Sequence, residues 1–189
     1  VCEWGGFAEF LAKKYDVSVD CITISKNQYD FTKKRILNSG LNNKVNVKFL
    51  DYRDVKDKYD HVVSIEMIEA VGEEYMDKYF ETIKKVLNKD GTAAIQGIAI
   101  KNELFNRYRA NEDFIQKYIF PGGFLPSINF MEKLIKKNDL KLEKINTYSD
   151  DYARTLATWR ENFLGVWDKI SPLGFDDYFK RMWEFYLSY

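Results

Sequence analysis

Short apolar runs alternate with segments of helical periodicity up to residue 100, and this alternation restricts the fold more than any other feature of the chain. Strands joined through helices in this way build parallel sheets with helices on both faces. Ser25 is placed to cap the second helix, and Asp90-Gly91 to end the third. The pattern predicts a doubly wound α/β fold with strands at 17–24, 44–50, 61–65 and 92–100 and helices at 6–14, 26–38 and 75–87.

The rhythm changes after residue 100, where aromatic residues surround a Pro-Gly-Gly turn. A helix near 127–138, an alternating strand at 140–148 and helices at 152–168 and 175–188 are predicted to follow. No repeat, low-complexity stretch or linker interrupts the chain. We therefore expect residues 1–189 to form a single domain that carries an aromatic-rich insertion and a helical cap.

Composition excludes several classes of function. Lys plus Arg and Asp plus Glu number 29 each, so no net charge attracts nucleic acid. No apolar run approaches the roughly 20 residues of a membrane span. His61 is the only histidine and Cys2 and Cys21 are the only cysteines, which leaves no set of soft metal ligands. The 16% of aromatic residues is typical either of a heavy core or of a site for an apolar or cationic ligand.

Residues that follow predicted strands are the candidates for a ligand site, because ligands of open α/β sheets bind at the carboxyl ends of the strands. A glycine turn at the start of the first helix lets the backbone approach a ligand, and the helix N-terminus favours an anion there. Glu66 and Glu69 follow the third strand, and Gln96 lies in the fourth. These positions predict a nucleoside-type site with a carboxylate inside, but no particular reaction. The cofactor-side candidates are Trp4, Gly5, Gly6, Thr23, Ser25, Gln28, Tyr52, Arg53 and Ile65.

Six stretches carry a resemblance to a known family. They are WGGFAEFLAKKYDVSVDCITISKNQ, DYRD, EMIEAVGEEYMDKYF, IQKYIFPGGFLPS, DDYARTLATWRENFL and LGFDDYFKRMWEFYLSY. Together they resemble the cyclopropane-fatty-acyl-phospholipid synthase family over essentially the whole chain, and EMIEAVG and YIFPGGFLPS are the most specific motifs. The resemblance implies the Rossmann-like sheet of a class I methyltransferase, with S-adenosylmethionine as the cofactor.

The resemblance also implies a reaction. The family adds the methyl group of S-adenosylmethionine to the cis double bond of an unsaturated phospholipid acyl chain, and a bound bicarbonate takes a proton from the carbocation as the cyclopropane ring closes. Glu69 matches the carboxylate that holds bicarbonate, Ile98 the residue whose backbone contacts it, and Tyr152 a tyrosine that donates to it. Gln96 stands where many members have histidine, and its amide can donate but cannot titrate.

Matching positions assign further residues to the cofactor and the acyl chain. The resemblance implies that Thr23, Ile24 and Gln28 lie near the ribose and methionine parts of the cofactor, and that Tyr52 and Arg53 lie near its adenine. Aromatic rings along an acyl channel would stabilise a carbocation through their π-faces. The candidates for this channel are Phe120, Phe124 and Trp159.

Two departures from the family pattern lead us to expect a fragment. The family has GCGWGG where this chain has VCEWGG, so Val1 and Glu3 replace two glycines. Glu3 would set a carboxylate near that of the cofactor, which is repulsive. The chain also begins after the family's first strand and an active-site cysteine, and it stops before the last, antiparallel strand. We expect the sheet to lack both strands.

Two other functions remain open at this stage. A related plant branch of N-methyltransferases, which act on small amines, shares part of the EMIEAVG motif. An inactive, truncated homologue is the second alternative, which Val1 and Glu3 support. For the lipid enzyme, the resemblance implies a cytoplasmic protein at the membrane surface, where its lysines would meet anionic headgroups. The oligomeric state is not indicated.

Overall fold

The computed structural model describes residues 2–189, and Val1 lies outside this range. Two compact units are present: unit 1 runs to Asn111 and includes Gly122–Lys141, whereas unit 2 comprises Glu112–Pro121 and Leu142–Tyr189. The strands are β1 (Val19–Thr23), β2 (Val45–Phe49), β3 (Tyr59–Ile65) and β4 (Leu87–Gln96). The helices are α1 (Gly6–Lys14), α2 (Lys26–Asn38), α3 (Met76–Val86), α4 (Phe105–Ala110), α5 (Ile128–Lys137), α6 (Ser149–Gly165), α7 (Trp167–Ile170) and α8 (Asp177–Ser188).

Both strand pairs of unit 1 are parallel, as the alternation of strands and helices predicts. β1 pairs with β2 and β3 pairs with β4, each through a crossover helix, α2 or α3. The pairs form two separate two-stranded sheets, whereas the sequence predicts one continuous sheet. Within residues 2–189 no strand lies between the pairs to join their backbone hydrogen bonds, which explains the difference.

The helices α1, α2 and α5 of unit 1 lie where the sequence predicts them, whereas α4 was not predicted. Ser25 caps α2, because its side chain accepts a hydrogen bond from the backbone N–H of Gln28. The apolar face of α3 forms the centre of the larger core, in which Met76 and Phe80 are completely buried. Burial of a side chain of this size contributes about 1.5–3 kcal/mol. α3 therefore packs against β3 and β4 and holds them in place through this core.

The boundary between α3 and β4 differs from the prediction. The helix ends at Val86 and the strand begins at the next residue, so Asp90-Gly91 does not end the helix. Asp90 instead adopts a φ of 64°, at an irregularity in the pairing of β3 with β4. A Cβ on Gly91 would lie 3.0 Å from the carbonyl oxygen of Asp60. Gly91 therefore allows the two strands to approach closely.

The strand predicted at 140–148 is absent from the described residues, which is a correction to the sequence analysis. Its apolar residues Leu142 and Ile145 are both well exposed, so the segment buries no face against a neighbour. No strand of residues 2–189 pairs with the segment. A period of two residues is compatible with a strand but forms one only where a neighbouring backbone can share hydrogen bonds.

Unit 2 is built from helices joined by aromatic contacts. Residues Ile115–Ile119 form a short π-helix, and Phe114 beside it packs edge-on against Phe185 of α8 with ring centroids 4.7 Å apart. α6 packs against α8 through an ion pair between Arg160 and Glu184. No helix in residues 2–189 combines the length and the apolar character needed to cross a membrane.

Candidate functional site

The carboxyl ends of paired strands lie side by side in unit 1. The backbone N–H of Leu50, after β2, donates to the carbonyl oxygen of Thr23 at 3.0 Å. The backbone N–H of Glu66, after β3, donates to the carbonyl oxygen of Gln96 at 2.9 Å. The predicted site residues that follow each strand are thus grouped at the same end of their sheet, where ligands of such sheets bind.

Gly5 gives the turn before α1 its shape. The residue has a φ of 80°, and a Cβ there would lie 2.6 Å from Cγ2 of Thr32, so both the backbone and the space require glycine. Gly5 precedes the first turn of α1, whose backbone N–H groups favour an anionic ligand. Trp4 is half exposed and packs edge-on against Phe31. The turn is suited to an anionic end of a ligand.

Glu3 departs from the family glycine at a position where glycine is favoured. Its φ is 44°, a left-handed conformation that strains a residue with a Cβ. Its carbonyl oxygen accepts a hydrogen bond from the Thr32 hydroxyl at 3.1 Å, and its side chain is exposed. Val1, the other departure, lies outside the described residues.

The residues after β1 form a polar turn. The Thr23 hydroxyl donates to Oε1 of Gln28 at 2.8 Å and accepts from the backbone N–H of Ser25 at 3.1 Å. Because Gln28 is held through its oxygen, its amide nitrogen remains available to donate to a ligand. Ile24 is 71% exposed at this turn. The structure therefore brings the Thr23–Gln28 candidates together.

Tyr52 and Arg53 lie in a short 3₁₀-helix after β2. The Arg53 guanidinium makes two hydrogen bonds to the Asp51 carboxylate, at 2.9 and 2.7 Å, and this pairing lowers the pKa of Asp51. The Tyr52 ring packs edge-on against Tyr79, with centroids 5.9 Å apart. Both candidate side chains are thus held by neighbours before any ligand binds. Asp51 also caps this turn and so supports both candidates.

Glu69 is a partly buried carboxylate in the turn after β3. Its Oε1 accepts a hydrogen bond from the backbone N–H of Ile98 at 2.5 Å, while its Oε2 is buried without a hydrogen-bond partner. Burial raises the pKa of Glu69, and the negative charge of Glu66 adds to this effect, whereas the Ile98 N–H opposes it. The structure therefore joins two of the four predicted catalytic residues directly.

Gln96 makes a different contact from the one expected. Its Nε2 donates to Oε1 of Glu66 at 3.1 Å. Glu66 has a φ of 46°, so it turns sharply at the end of β3, which terminates at Ile65 opposite Gln96. Strained backbone of this kind clusters at functional sites. The sequence alone did not distinguish a site role for Glu66 from a position at the rim, and its contact with Gln96 is the new information.

The two most specific motifs meet at Glu69. The backbone N–H of Phe124 donates to the carbonyl oxygen of Glu69 at 2.9 Å. Phe124 is 6% exposed and packs against Phe105 and Phe130 in the core of unit 1. Its ring therefore supports the turn that carries Glu69. The expected position of Phe124 in the lining of an acyl channel differs from this buried one.

Several candidates lie in unit 2. Tyr152 is half-buried in the first turns of α6, Trp159 is farther along the same helix, and Phe120 follows the π-helix. The unit also contains an open aromatic groove of about 250 Å³. Its lining residues are Phe114, Tyr118, Tyr178, Arg181, Met182 and Phe185, which the sequence analysis did not select.

The sequence analysis also missed two buried hydroxyl groups of unit 1. Ser64, near the end of β3, and Tyr79, on α3, are 5% and 2% exposed, and neither hydroxyl has a hydrogen-bond partner. Burial raises the pKa of Tyr79 to about 12, and the charge of Glu69 adds to the increase. Periodicity marks both positions as core, so no local signal distinguishes them from ordinary buried residues.

The chain matches known proteins over its whole length. A family model described as mycolic acid cyclopropane synthetase matches residues 1–189. The tuberculostearic acid methyltransferase UfaA1 of Mycobacterium tuberculosis is 38% identical over 169 residues, which are 89% of this chain and 40% of that protein. The cyclopropane-fatty-acyl-phospholipid synthase of Escherichia coli strain K12 is 35% identical over 187 residues, which are 99% of this chain and 46% of that protein.

Solved structures agree with these matches. The mycolic acid cyclopropane synthase CmaA1 complexed with SAH and CTAB has a TM-score of 0.88 and 26% identity, and the match covers 99% of this chain and 68% of that one. The chain spans less than half the length of the two curated relatives it matches.

Proposed function

This chain belongs to the mycolic acid cyclopropane synthetase family, and we propose that it forms the methyltransferase part of an enzyme that modifies unsaturated phospholipid acyl chains. The resemblance and the Rossmann-like fold of a class I methyltransferase, both predicted from the sequence, are confirmed. The finer proposal is that the enzyme transfers a one-carbon unit from S-adenosylmethionine to a cis double bond and forms a cyclopropane. We further propose that residues 1–189 act as one such domain, at the cytoplasmic surface of a membrane.

The glycine turn and the strand ends of unit 1 fit S-adenosylmethionine. The backbone at Gly5 and Gly6 would hold the carboxylate of the cofactor at the N-terminus of α1. Gln28 would donate to the polar middle part, and Tyr52 would contact the adenine. When bound, the cofactor supplies an electrophilic methyl group.

The single observation that carries the proposed chemistry is the desolvated carboxylate of Glu69, held by the Ile98 N–H. We propose that Glu69 and Ile98, with Gln96, hold a bicarbonate that serves as the base. A carboxylate beside bicarbonate repels it unless the two groups share a proton. The raised pKa of Glu69 supports such sharing, because burial makes the ionised form of this carboxyl less favourable than it is in water.

An N-methyltransferase acting on a small amine is the second candidate. The specific observation in its favour is the contact between Gln96 and Glu66, which keeps a second carboxylate close to Glu69. Two carboxylates can bind a cationic amine better than they can bind an anion. The amide of Gln96 can hydrogen-bond to either kind of ligand, so the acceptor must be tested directly.

The test uses the full-length protein with vesicles of unsaturated phospholipid, in parallel with small amines as acceptors. We expect Glu69→Gln to abolish most of the lipid methylation, whereas the matched control Glu66→Gln should lose much less. Added bicarbonate should raise the rate of the wild type and should do little for Glu69→Gln. Equal, mild losses in both variants without bicarbonate dependence would exclude the lipid reaction, and methylation of an amine would establish the second candidate.

A further inference from the structure

Three buried polar atoms of unit 1 lack hydrogen-bond partners: Oγ of Ser64, Oε2 of Glu69 and the hydroxyl oxygen of Tyr79. Leaving one such group unpaired costs about 1–3 kcal/mol. Native proteins contain few such groups, and each one calls for a physical explanation. Tyr79 and Ile68, which adjoins Glu69, belong to the same buried cluster, so one interaction among the three groups would satisfy them all.

The fold fixes two of these groups firmly. Ser64 is the next-to-last residue of β3, and Tyr79 projects from α3 into the core. The ring of Tyr79 packs edge-on against Phe80 with centroids 5.3 Å apart, and it contacts Tyr52 on another side. A ring held in this way keeps its hydroxyl in one place. Glu69, by contrast, is tied through Oε1 alone, so its other oxygen depends on a further partner.

The three groups have complementary hydrogen-bonding capacity. Ser64 and Tyr79 each carry one O–H donor, and the ionised carboxylate of Glu69 is an acceptor only. Ser64 adjoins the Tyr79 hydroxyl closely enough to lower its pKa, although the two do not complete a hydrogen bond of ordinary geometry. The charge of Glu69 reaches the same hydroxyl and raises that pKa. A chain from Ser64 through Tyr79 to Glu69 would therefore satisfy all three groups.

We propose that Tyr79 and Ser64 are positioning residues for Glu69, in which the Ser64 hydroxyl donates to Tyr79 and the Tyr79 hydroxyl donates to Oε2 of Glu69. Together with the Ile98 N–H on Oε1, this pair sets the plane of the carboxylate. Hydrogen bonds from hydroxyl groups to a carboxylate favour its ionised form. The importance of this positioning for catalysis rests on the proposed role of Glu69. The proposed hydrogen bonds do not depend on that role.

Two other ionisable groups raise the pKa values of Glu69 and Tyr79. Glu66, in the turn after β3, raises the pKa of Glu69 through its negative charge. Tyr52, after β2, raises the pKa of Tyr79. Neither group donates a hydrogen bond to Oε2, which leaves Tyr79 and Ser64 as the donors to test.

The experiment is a pH titration of Glu69 in the full-length protein, followed by carboxyl ¹³C NMR of labelled glutamate and assigned with Glu69→Gln. We expect Tyr79→Phe to shift the midpoint upward by about one pH unit, because one donor to the charged form is lost. Ser64→Ala should shift it less, in the same direction. Tyr59→Phe is the matched control: Tyr59 also has a pKa raised to about 12 and donates to a carboxylate, Asp20, at 2.7 Å.

A midpoint in Tyr79→Phe equal to that of the wild type and the control would overturn the proposal. If circular dichroism shows that Tyr79→Phe does not fold, Ser64→Ala decides, and an unchanged midpoint there overturns it equally. In the methylation assay, we expect Tyr79→Phe to lower kcat without changing KM for S-adenosylmethionine. Because the titration needs no activity, its result stands even if the proposed reaction is wrong.

Discussion

Glu69 accepts a hydrogen bond at its carbonyl oxygen from the backbone N–H of Phe124, at 2.9 Å. The contact joins the turn after β3 to the segment that follows the Pro-Gly-Gly turn, and the buried ring of Phe124 anchors it in the core. The side chain of the same glutamate is tied to Ile98, after β4. Two other parts of the chain therefore hold this residue, so changes beside Glu69 should affect both stability and function.

Gly97→Ala should disturb Glu69 through packing alone. A Cβ at this position would lie 2.5 Å from Cγ2 of the buried Ile68 and 3.3 Å from Oε1 of Glu69. Overpacking of this kind costs about 1–3 kcal/mol. We expect a lower free energy of unfolding in urea and a reduced methylation rate in the full-length protein. Gly165→Ala is the control, because nothing lies within 4 Å of its Cβ, and it should keep both values close to wild type. Equal effects in the two variants would contradict this account.

Glu3→Gly should strengthen the binding of S-adenosylmethionine. Glycine relieves the strain of a φ of 44° and removes a carboxylate from the turn that we assign to the carboxylate of the cofactor. The strain alone corresponds to about 1 kcal/mol of stability. Isothermal titration calorimetry on the full-length protein measures the affinity. The control Asp139→Gly relieves a similar φ of 52° just after α5, outside the predicted cofactor site, so it should raise stability only. Unchanged affinity in Glu3→Gly would show that this side chain does not oppose the cofactor.

Cys2 should react with thiol reagents near neutral pH. Its pKa is lowered to about 7, chiefly by a hydrogen bond with Cys21, and the Thr32 hydroxyl contributes. The same contact, together with burial, raises the pKa of Cys21, so that thiol should stay inert. We expect the rate of alkylation by iodoacetamide to be half-maximal near pH 7 and to vanish in Cys2→Ser. Protection by S-adenosylhomocysteine would support the assignment of this turn to the cofactor, and modification of Cys21 instead would contradict the prediction.

Glu9 should contribute to stability at neutral pH but not in acid. Hydrogen bonds from Lys13, Arg35 and Ser39 lower its pKa to about 2. A carboxylate with a depressed pKa stabilises the folded state above its unfolded pKa of about 4.3. That contribution is lost as the pH falls from there through about 2. Urea midpoints of wild type and Glu9→Gln should therefore differ at pH 7 and converge near pH 2. A difference that is independent of pH would show that the charge of Glu9 is not the cause.

Much of the local structure could be predicted from the sequence. The bounds of α1 and α2 are those predicted, and Ser25 caps α2 as expected, because helical periodicity and capping depend on residues a few positions apart. The stop signal of α3 at Asp90-Gly91, the bounds of β4 and the strand at 140–148 were predicted wrongly. In both cases the outcome depends on whether another strand pairs with the segment, which no local pattern encodes.

The sequence by itself determined the family, the parallel crossover units and the choice of Glu69 and Ile98, since motifs and periodicity are properties of the order of residues. Only the tertiary structure showed that Gln96 bonds to Glu66, that Phe124 supports Glu69 from the core, and that Ser64 and Tyr79 are buried without partners. These relationships join residues 10 or more positions apart in the chain, as their numbers show. The packing of α3 against the strands decides which of their polar atoms meet, because a buried polar group is stabilised only by the neighbour that the fold places beside it.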